Sequence, residues 1–305
     1  MKRHRILFVF SIFLCSVAMG ASDPTNPTTP TVQRMILLSP NQVEIAFALG
    51  LGDHVVGVSD YTQWPPEALD KPKVGGYLNP SLERIIALKP DVVVGTPPAR
   101  EVLDKLETAG IKTLALPNET IEDVYASTLR LGEVTGRRAE AQALVENLKS
   151  RLAAIRKRLE NLPRKRVLCL VGRNPGTLQD MYAAGHGTFL NDLLEAAGSE
   201  NVLDPSLAWY PKISKEKLIE TDPDIILDAS FTEIDDSALM EESRQAWKQL
   251  PSLKAVRNNQ VIFVMNKALT ISGPRMPDSV EYLARLIHPE AFESPALHDA
   301  PTSTP

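Results

Sequence analysis

The 305-residue sequence contains only two cysteines, Cys15 and Cys169. Cys15 lies in an apolar N-terminal stretch that we expect to be removed, so the mature chain has one thiol and an intramolecular disulfide is excluded. Cys169 lies in RVLCLVG, a pattern typical of a buried strand, and we expect an inert core thiol. The size of the hydrophobic core, rather than covalent cross-links, must therefore stabilise the fold.

Excess positive charge, paired histidines and the common enzyme motifs are also missing. The formal net charge of −5 argues against a nucleic-acid partner. None of the five histidines is paired at metal-ligand spacing, so we predict no metal site. His186 could face a bound ligand, although an ordinary loop histidine is the favoured interpretation. Without a dinucleotide fingerprint, a P-loop or a G-x-S-x-G elbow, we predict a binding protein with no cofactor, not an enzyme.

The N-terminus has the features of a secretory signal. Basic residues at 2–5 precede an apolar stretch over 6–20, which is shorter than the roughly 20 residues of a comfortable membrane span. Small residues then predict cleavage before Ala21, giving a signal peptide at 1–20. Large apolar residues precede Cys15, so we expect release into the periplasm instead of lipid anchoring.

The rest of the chain predicts an α/β fold with two pseudo-symmetric lobes. Strands alternate with helices over 32–136 and again over 162–292, which favours a largely parallel sheet in each lobe. The polar segments at 21–31 and 293–305 predict a flexible leader and a disordered tail.

Residues 137–161 contain neither glycine nor proline and predict a long helix. We interpret it as a single rigid helix joining the lobes rather than as a coiled coil, because its apolar stripe is too short for several heptads. The stripe consists of Ala141, Leu144, Val145, Leu148, Leu152, Ile155 and Leu159.

One motif occurs twice in the chain, as NPSLERIIALKPDVVV and as PKISKEKLIETDPDIIL. In both, a serine and a glutamate precede two adjacent aliphatic residues and a Pro-Asp pair before a buried strand. The equivalent residues lie 133 positions apart: Ser81 and Ser214, Glu83 and Glu216, Pro90 and Pro223, Asp91 and Asp224.

We expect each copy to form a short helix followed by a strand, with Asn79 and Pro80 beginning the first helix. A glutamate in the first turn could serve only its own helix dipole. The repeated placement of Glu83 and Glu216 instead indicates one exposed carboxylate on each lobe, which together form a two-pronged acidic handle. Asp91 and Asp224 are predicted to be structural.

The sequence resembles a known family over about residues 34–290. The segments LLSPNQVEIAFALGLG, GTFLNDLLEAAGSENV and YPKISKEKLIETDPDIIL are similar to periplasmic binding proteins of cobalamin, haem and iron-siderophore ABC importers. The closest likeness is to the cobalamin-binding members. The resemblance implies two lobes joined by one rigid helix, with ligand in the cleft between them. It also implies that Glu83 and Glu216 dock onto arginines of the importer's permease, and we expect the protein to act as a monomer.

Aromatic residues make up only 6% of the chain, yet several cluster in loops flanking the two motif copies. Flat aromatic walls suit a large, mostly apolar ligand. Arginines in second-lobe loops could meet the amide carbonyls of a corrinoid or the anionic oxygens of a ferric siderophore, or could form loop salt bridges. The predicted ligand contacts are Tyr61, Trp64, Tyr77, Arg173, Trp209, Tyr210 and Arg275.

The positions of Tyr61, Tyr77 and Tyr210 match aromatic ligand contacts in cobalamin-binding relatives, where tryptophan is typical at the last two. We predict a corrinoid ligand, with a ferric siderophore or haem as the alternative.

Overall fold

The computed structural model describes residues 32–230 and 237–292. The predicted signal peptide, leader and tail lie outside these residues. No helix within the two described ranges is long and apolar enough to span a membrane.

The first lobe is built on a four-stranded parallel sheet with the order β2-β1-β3-β4. Helices pack on the sheet, and the core strands β1 and β3 are buried along their whole length, which explains their continuous aliphatic sequences. The strands are β1 (Met35–Leu37), β2 (Val55–Val58), β3 (Val92–Gly95) and β4 (Lys112–Ala115). The helices are α1 (Pro40–Ala48), α2 (Leu82–Ala87) and α3 (Arg100–Thr108).

Two helices, α4 (Ile121–Thr135) and α5 (Arg138–Leu159), connect the lobes. The predicted stripe of α5 is buried, except that Leu144 and Ile155 are only partly buried. Ala141 of α5 packs in the core of the first lobe, and Leu152 packs in the core of the second. The long helix thus contributes to both cores, as its apolar periodicity indicated.

The expectation of a single joining helix needs correction, because α4 also contributes to both cores. Ile121 packs in the second core and Leu131 packs in the first, so α4 runs opposite to α5. The left-handed Gly136, with φ of 74°, ends α4 and allows the tight return. A Cβ atom on Gly132 would lie only 2.4 Å from that of Ala141, so the two helices pack closely. The rigidity of this helix pair stays a prediction.

The second lobe has a six-stranded mixed sheet, with β7 beside the first half of β5 and β6 beside its second half. Its strands are β5 (Lys165–Gly172), β6 (Met181–Ala183), β7 (Ser199–Asn201), β8 (Lys212–Ile213), β9 (Ile225–Asp228) and β10 (Val261–Phe263). Its helices are α6 (Phe189–Ala196), α7 (Lys215–Thr221), α8 (Ser237–Lys248), α9 (Lys254–Arg257) and α10 (Met276–Ile287).

Sequence patterns did not indicate β6, β7 or β8. These strands have only two or three residues each, too few for an alternating pattern to be recognised. Both β6 and β8 are antiparallel to their neighbours, whereas β5, β7, β9 and β10 are parallel. The first-lobe order β2-β1-β3-β4 therefore matches β7-β5-β9-β10, which confirms the two pseudo-symmetric α/β lobes.

The doubled motif forms equivalent units, α2-β3 and α7-β9. Each helix begins after a serine whose hydroxyl accepts a backbone hydrogen bond: Ser81 from Arg84, and Ser214 from Lys217. The prediction that Asn79 and Pro80 begin the first helix was therefore wrong. A serine at the N-cap satisfies a free helical N–H, and both copies use it in the same place.

Each unit is anchored to its sheet by an arginine at the start of the central strand. Arg34 donates to the carbonyls of Leu88 and Lys89, just beyond the end of α2. The Asp91 carboxylate accepts from the Arg34 backbone N–H at 2.8 Å, which confirms that Asp91 is structural.

In the second unit, Arg166 donates to the carbonyls of Thr221 and Asp222 at the end of α7. The Asp224 carboxylate accepts from the Arg166 backbone N–H at 2.9 Å, so this aspartate is also structural. Nearby in β5, Cys169 is buried as predicted, and burial raises the pKa of its thiol to about 12. This thiol stays protonated at physiological pH.

Candidate ligand-binding site

A pocket of about 270 Å³ opens where the strands of the first sheet end. Ser39 follows β1, Tyr61 follows β2, Thr96 follows β3 and Asn118 follows β4. The carboxyl ends of neighbouring parallel strands form the usual ligand crevice of an open α/β sheet. The second lobe closes one side of this pocket with residues 270–272. The remaining lining residues are Pro40, Asn41, Tyr77, Pro98 and Glu119.

Two of the predicted ligand residues, Tyr61 and Tyr77, stand together in this pocket. Their ring centroids lie 6.3 Å apart with an interplanar angle of 72°, and the side chains are 60% and 36% exposed. Gly75 adopts a φ of 107°, which favours glycine, and its carbonyl accepts a 2.9 Å hydrogen bond from the Asp60 N–H. This turn holds Tyr77 beside Tyr61, so the pair forms an aromatic wall that a ligand can reach.

Trp209 and Tyr210 extend exposed aromatic surface from the second lobe. The Gly185 N–H donates to the Trp209 carbonyl at 2.7 Å, which fixes the loop that precedes β8. Partial burial raises the pKa of the Tyr210 phenol, and the negative charge of Glu119, a residue of the pocket, raises it further.

Tyr77 and Tyr210 are equivalent members of the repeat, a relation that the sequence reading missed. Each lies four residues before the N-cap serine of its motif helix, and the two are 133 positions apart, as are the motif positions. An alignment of the two motif copies already places these tyrosines at the same position. The repeated unit therefore carries a tyrosine at the same place in each lobe.

The pocket floor offers polar atoms that have no protein partner in the described part of the chain. The Asn41 amide nitrogen and the Thr96 hydroxyl are buried and unpaired. The Ser39 hydroxyl donates to the Asn41 amide oxygen at 2.5 Å, which leaves the amide nitrogen to donate elsewhere. Buried polar groups without partners are destabilising, so a ligand that pairs with them gains binding energy. Sequence reasoning missed these residues, since each is marked only by its place after a strand.

Two other predicted ligand residues, Arg275 and Trp64, form a contact between the lobes. The Arg275 guanidinium binds the buried carboxylate of Glu44, in α1, with N···O distances of 3.0 and 2.5 Å. It also lies 5.3 Å from the centre of the Trp64 ring. Burial raises the pKa of Glu44, and Arg275 opposes that rise. In this structure, Arg275 is therefore engaged by a carboxylate and an aromatic ring at the edge of the cleft.

Arg173 lies inside the second lobe. Its guanidinium contacts the Asp228 carboxylate at 2.7 and 2.8 Å and donates to the Thr177 carbonyl at 2.6 Å. The Trp247 indole N–H donates to the same carboxylate at 3.1 Å, and both members of the ion pair are buried. A ligand role for Arg173 stays a prediction. In the structure, its guanidinium binds Asp228 and Thr177 within the second lobe.

His186 turns both ring nitrogens toward protein groups. Its Nε2 atom lies 3.0 Å from the Leu203 carbonyl oxygen, and its Nδ1 atom lies 3.8 Å from the Glu195 carboxylate. Within residues 32–230 and 237–292, no cluster of His, Cys, Asp or Glu side chains could hold a metal ion. The arrangement of His186 is that of a loop histidine.

Glu83 and Glu216 are exposed in the first turns of α2 and α7. A hydrogen bond with the Ser214 side chain, together with the helical backbone N–H, lowers the pKa of Glu216. Both helices are anchored by their last carbonyls where the strands begin, so their first turns point toward the edge where the strands end. The pocket opens at that edge of the first sheet, so each carboxylate is carried by the helix end that lies toward the strand ends.

Comparison with known proteins agrees with this arrangement. The model of the periplasmic binding protein family matches residues 35–268. The chain is 30% identical over 269 residues to the uncharacterized ABC transporter substrate-binding lipoprotein YvrC of Bacillus subtilis, with 86% of this chain and 82% of that protein covered. It is 29% identical over 280 residues to the vitamin B12-binding protein of Vibrio parahaemolyticus, with 91% and 94% covered.

Among solved structures, a periplasmic heme-binding protein from Pseudomonas aeruginosa is similar, with a TM-score of 0.73 and 26% identity. The match covers 85% of this chain and 93% of that one. The sequence and fold comparisons agree, and this chain belongs to the periplasmic binding protein family of ABC-transporter substrate-binding proteins.

Proposed function

We propose that this protein captures a corrinoid in the cleft between its lobes and delivers it to the permease and ATPase of an ABC importer. The observation that carries the proposal is the chemistry of the pocket. Its described lining consists of two tyrosines, Ser and Thr hydroxyls, two asparagine amides, two prolines and an isoleucine, with Glu119 as the one charged residue. None of these described lining residues is Lys or Arg.

This lining suits a ligand with a large apolar ring and a neutral, amide-bearing edge. The tyrosines can stack on or abut the ring, and the unpaired Asn41 and Thr96 groups can pair with peripheral amides. Haem propionates and ferric catecholate siderophores carry negative charge, which favours cationic partners. The two arginines predicted as ligand contacts, Arg173 and Arg275, bind the Asp228 and Glu44 carboxylates. The similarity to a vitamin B12-binding protein supports the same choice.

The pocket volume also bears on how such a ligand would sit. A cavity of about 270 Å³ lies below the usual range of roughly 300–1,000 Å³ for small-molecule pockets, and a corrinoid is larger still. The ligand would therefore rise from the pocket against the exposed aromatic groups, with Tyr210 on the opposite lobe. This expectation explains why these large side chains remain exposed.

Haem is the second candidate, because a tyrosine phenolate can bind haem iron at an axial position. The exposed phenols of Tyr61 and Tyr77 are available for that role. The similarity to a heme-binding protein of known structure supports keeping this candidate.

Titration with cyanocobalamin, haemin and a ferric tris-catecholate siderophore separates these ligands. We expect cyanocobalamin to bind at least about 100-fold more tightly than the other two, a difference of about 2.7 kcal/mol. Isothermal calorimetry gives the affinities, and absorption spectra report any tyrosinate–iron bond with haemin. Tighter binding of haemin with a tyrosinate spectrum, lost in Y61F or Y77F, would reject the corrinoid in favour of haem.

For delivery, we propose that Glu83 and Glu216 dock onto basic groups of the permease. The protein would act as a monomer in the periplasm after signal-peptide removal, with no nucleic-acid partner and no catalytic role. The docking role is supported by the exposure of Glu83 and Glu216 and by their equivalent places in the first turns of α2 and α7. Charge-assisted contacts of this kind contribute roughly 1–3 kcal/mol each.

The paired variant E83Q/E216Q tests this docking role. We expect unchanged ligand affinity and melting temperature but slower ligand uptake into vesicles carrying the importer. E146Q/E200Q is the matched control, since it removes the same charge from exposed positions elsewhere. Normal uptake by E83Q/E216Q at limiting protein concentration would mean that the glutamates serve only their own helices.

A further inference from the structure

Each copy of the repeated motif contains two adjacent aliphatic residues, and only the first of them is buried in the core. Ile85 and Leu218 are fully buried, whereas Ile86 is 51% exposed and Ile219 is 46% exposed. Positions 86 and 219 are again 133 residues apart. A single exposed aliphatic side chain is ordinary. Equal exposure at the same place in both lobes requires a reason that applies to both.

Helix formation does not supply that reason. Isoleucine is a weaker helix former than alanine, leucine or glutamate, because its branched Cβ restricts χ1. The next residue of each helix, Ala87 or Glu220, is also exposed and has better propensity. Neither isoleucine belongs to the buried core or favours its helix, and about half of the surface of each stays in water.

Their position relative to the glutamates is the second observation. Glu83 and Ile86 are three residues apart in α2, so they share one face of that helix. Glu216 and Ile219 have the same spacing in α7. Each lobe thus presents one docking patch, defined as a carboxylate with an exposed isoleucine one turn further along the helix.

We propose that Ile86 and Ile219 are the apolar half of the permease contact, an inference that rests on the docking role proposed for the two glutamates. An ion pair left in water contributes little. An apolar contact beside it excludes water and strengthens the charge interaction, as in the centre of tight interfaces. The partner that fits is a permease with two equivalent contact points, each with a basic group next to an apolar one.

The variant I86S/I219S tests this proposal, with L129S as the matched control. Leu129 is an exposed leucine on α4, outside both docking patches. Fluorescently labelled protein, without added ligand, is titrated onto right-side-out inner-membrane vesicles of the source bacterium. We expect I86S/I219S to weaken saturable binding at least tenfold, about 1.4 kcal/mol, and L129S to change it less than twofold. Melting temperatures should stay the same for both.

Binding of I86S/I219S within twofold of the unsubstituted protein would overturn the proposal. A melting temperature lowered by several degrees would also overturn it, because the isoleucines would then be packing residues. Parallel titration of E83Q/E216Q separates the two proposals. If only E83Q/E216Q loses binding, the isoleucine proposal is rejected and the docking role of the glutamates is kept. If only I86S/I219S loses binding, the docking role of the glutamates is rejected and an apolar contact through the isoleucines is kept. Since no ligand is added, the identity of the ligand does not affect either result.

Discussion

The two lobes share one framework, but the strand that follows the repeated motif helix, β3 or β9, ends differently in each. β3 finishes with Gly95, whereas the equivalent residue of β9 is Asp228. In the second lobe, Asp228 binds the buried Arg173 and the Trp247 indole, so the edge of the sheet is filled by protein. In the first lobe, a side chain at Gly95 would press on Leu103 at 3.0 Å, and the edge beside it stays open as the pocket.

This difference teaches how a repeated unit can serve two purposes. On the outside, both copies keep the same arginine anchor, serine cap, glutamate and exposed isoleucine. On the inside, one edge is occupied by an ion pair and the other is left for a ligand. We infer that the equal outer surfaces suit a partner with two equivalent halves, whereas the unequal inner edges place most of the ligand pocket on the first lobe.

The largest expected effect is a loss of stability when the ion pair at the edge of the second-lobe sheet is broken. R173M leaves the Asp228 carboxylate buried without its cation, so we expect a loss of about 3–5 kcal/mol in the free energy of unfolding. T96V is the first-lobe comparison, because it removes a buried hydroxyl that has no partner among the described residues and should change stability by less than about 1 kcal/mol. Urea unfolding measures both. Equal stabilities for the two variants would mean that the edges do not differ as described.

The next largest expected effect is a loss of ligand affinity when the aromatic wall of the first-lobe pocket is removed. Y61A/Y77A removes the aromatic wall, and we expect the affinity for cyanocobalamin to fall about 100-fold. Y182A is the control, since Tyr182 is an exposed aromatic residue of β6 that does not line the pocket. Calorimetry measures the affinities. A decrease of less than threefold for Y61A/Y77A would remove the tyrosines from the binding site.

The shared anchors should give smaller and equal effects. R34A and R166A each remove hydrogen bonds to the carbonyls that follow or end the motif helix, so each should destabilise by about 1–2 kcal/mol. R34K and R166K keep the charge but lose the planar fork, and they should recover only part of the loss. A difference above about 1 kcal/mol between the two alanine variants in urea unfolding would show that the anchors are not equivalent.

The smallest effect concerns the contact between the lobes. Burial raises the pKa of Glu44 above its ordinary value of 4.5, so the folded state binds a proton more readily than the unfolded state. This contribution to stability is fully present below pH 4.5 and is lost as pH rises through the folded pKa. The stability of the unsubstituted protein minus that of E44Q should therefore fall as pH rises from 4.5. A difference that grows with pH in thermal melts would mean that Arg275 outweighs burial.

Much of this protein could be predicted from periodicity and repetition. The alternation of strands and helices, the buried stripe of α5 and the doubled motif all depend on neighbours in sequence. The motif also located Glu83 and Glu216 in equivalent helix turns. The helix pair could not be recognised as a pair, because the contribution of α4 to both cores depends on which residues face each lobe.

The sequence by itself determined the two α/β lobes and the repeat. Tertiary structure alone decided that Tyr61 and Tyr77 meet in one pocket, that Arg173 turns inward to Asp228, and that Arg275 binds Glu44 across the lobes. It also decided that Ile86 and Ile219 stay about half exposed. The physical reason is distance along the chain. Glu44 and Arg275 are 231 residues apart, and no local pattern reports a contact that exists only after both lobes have folded.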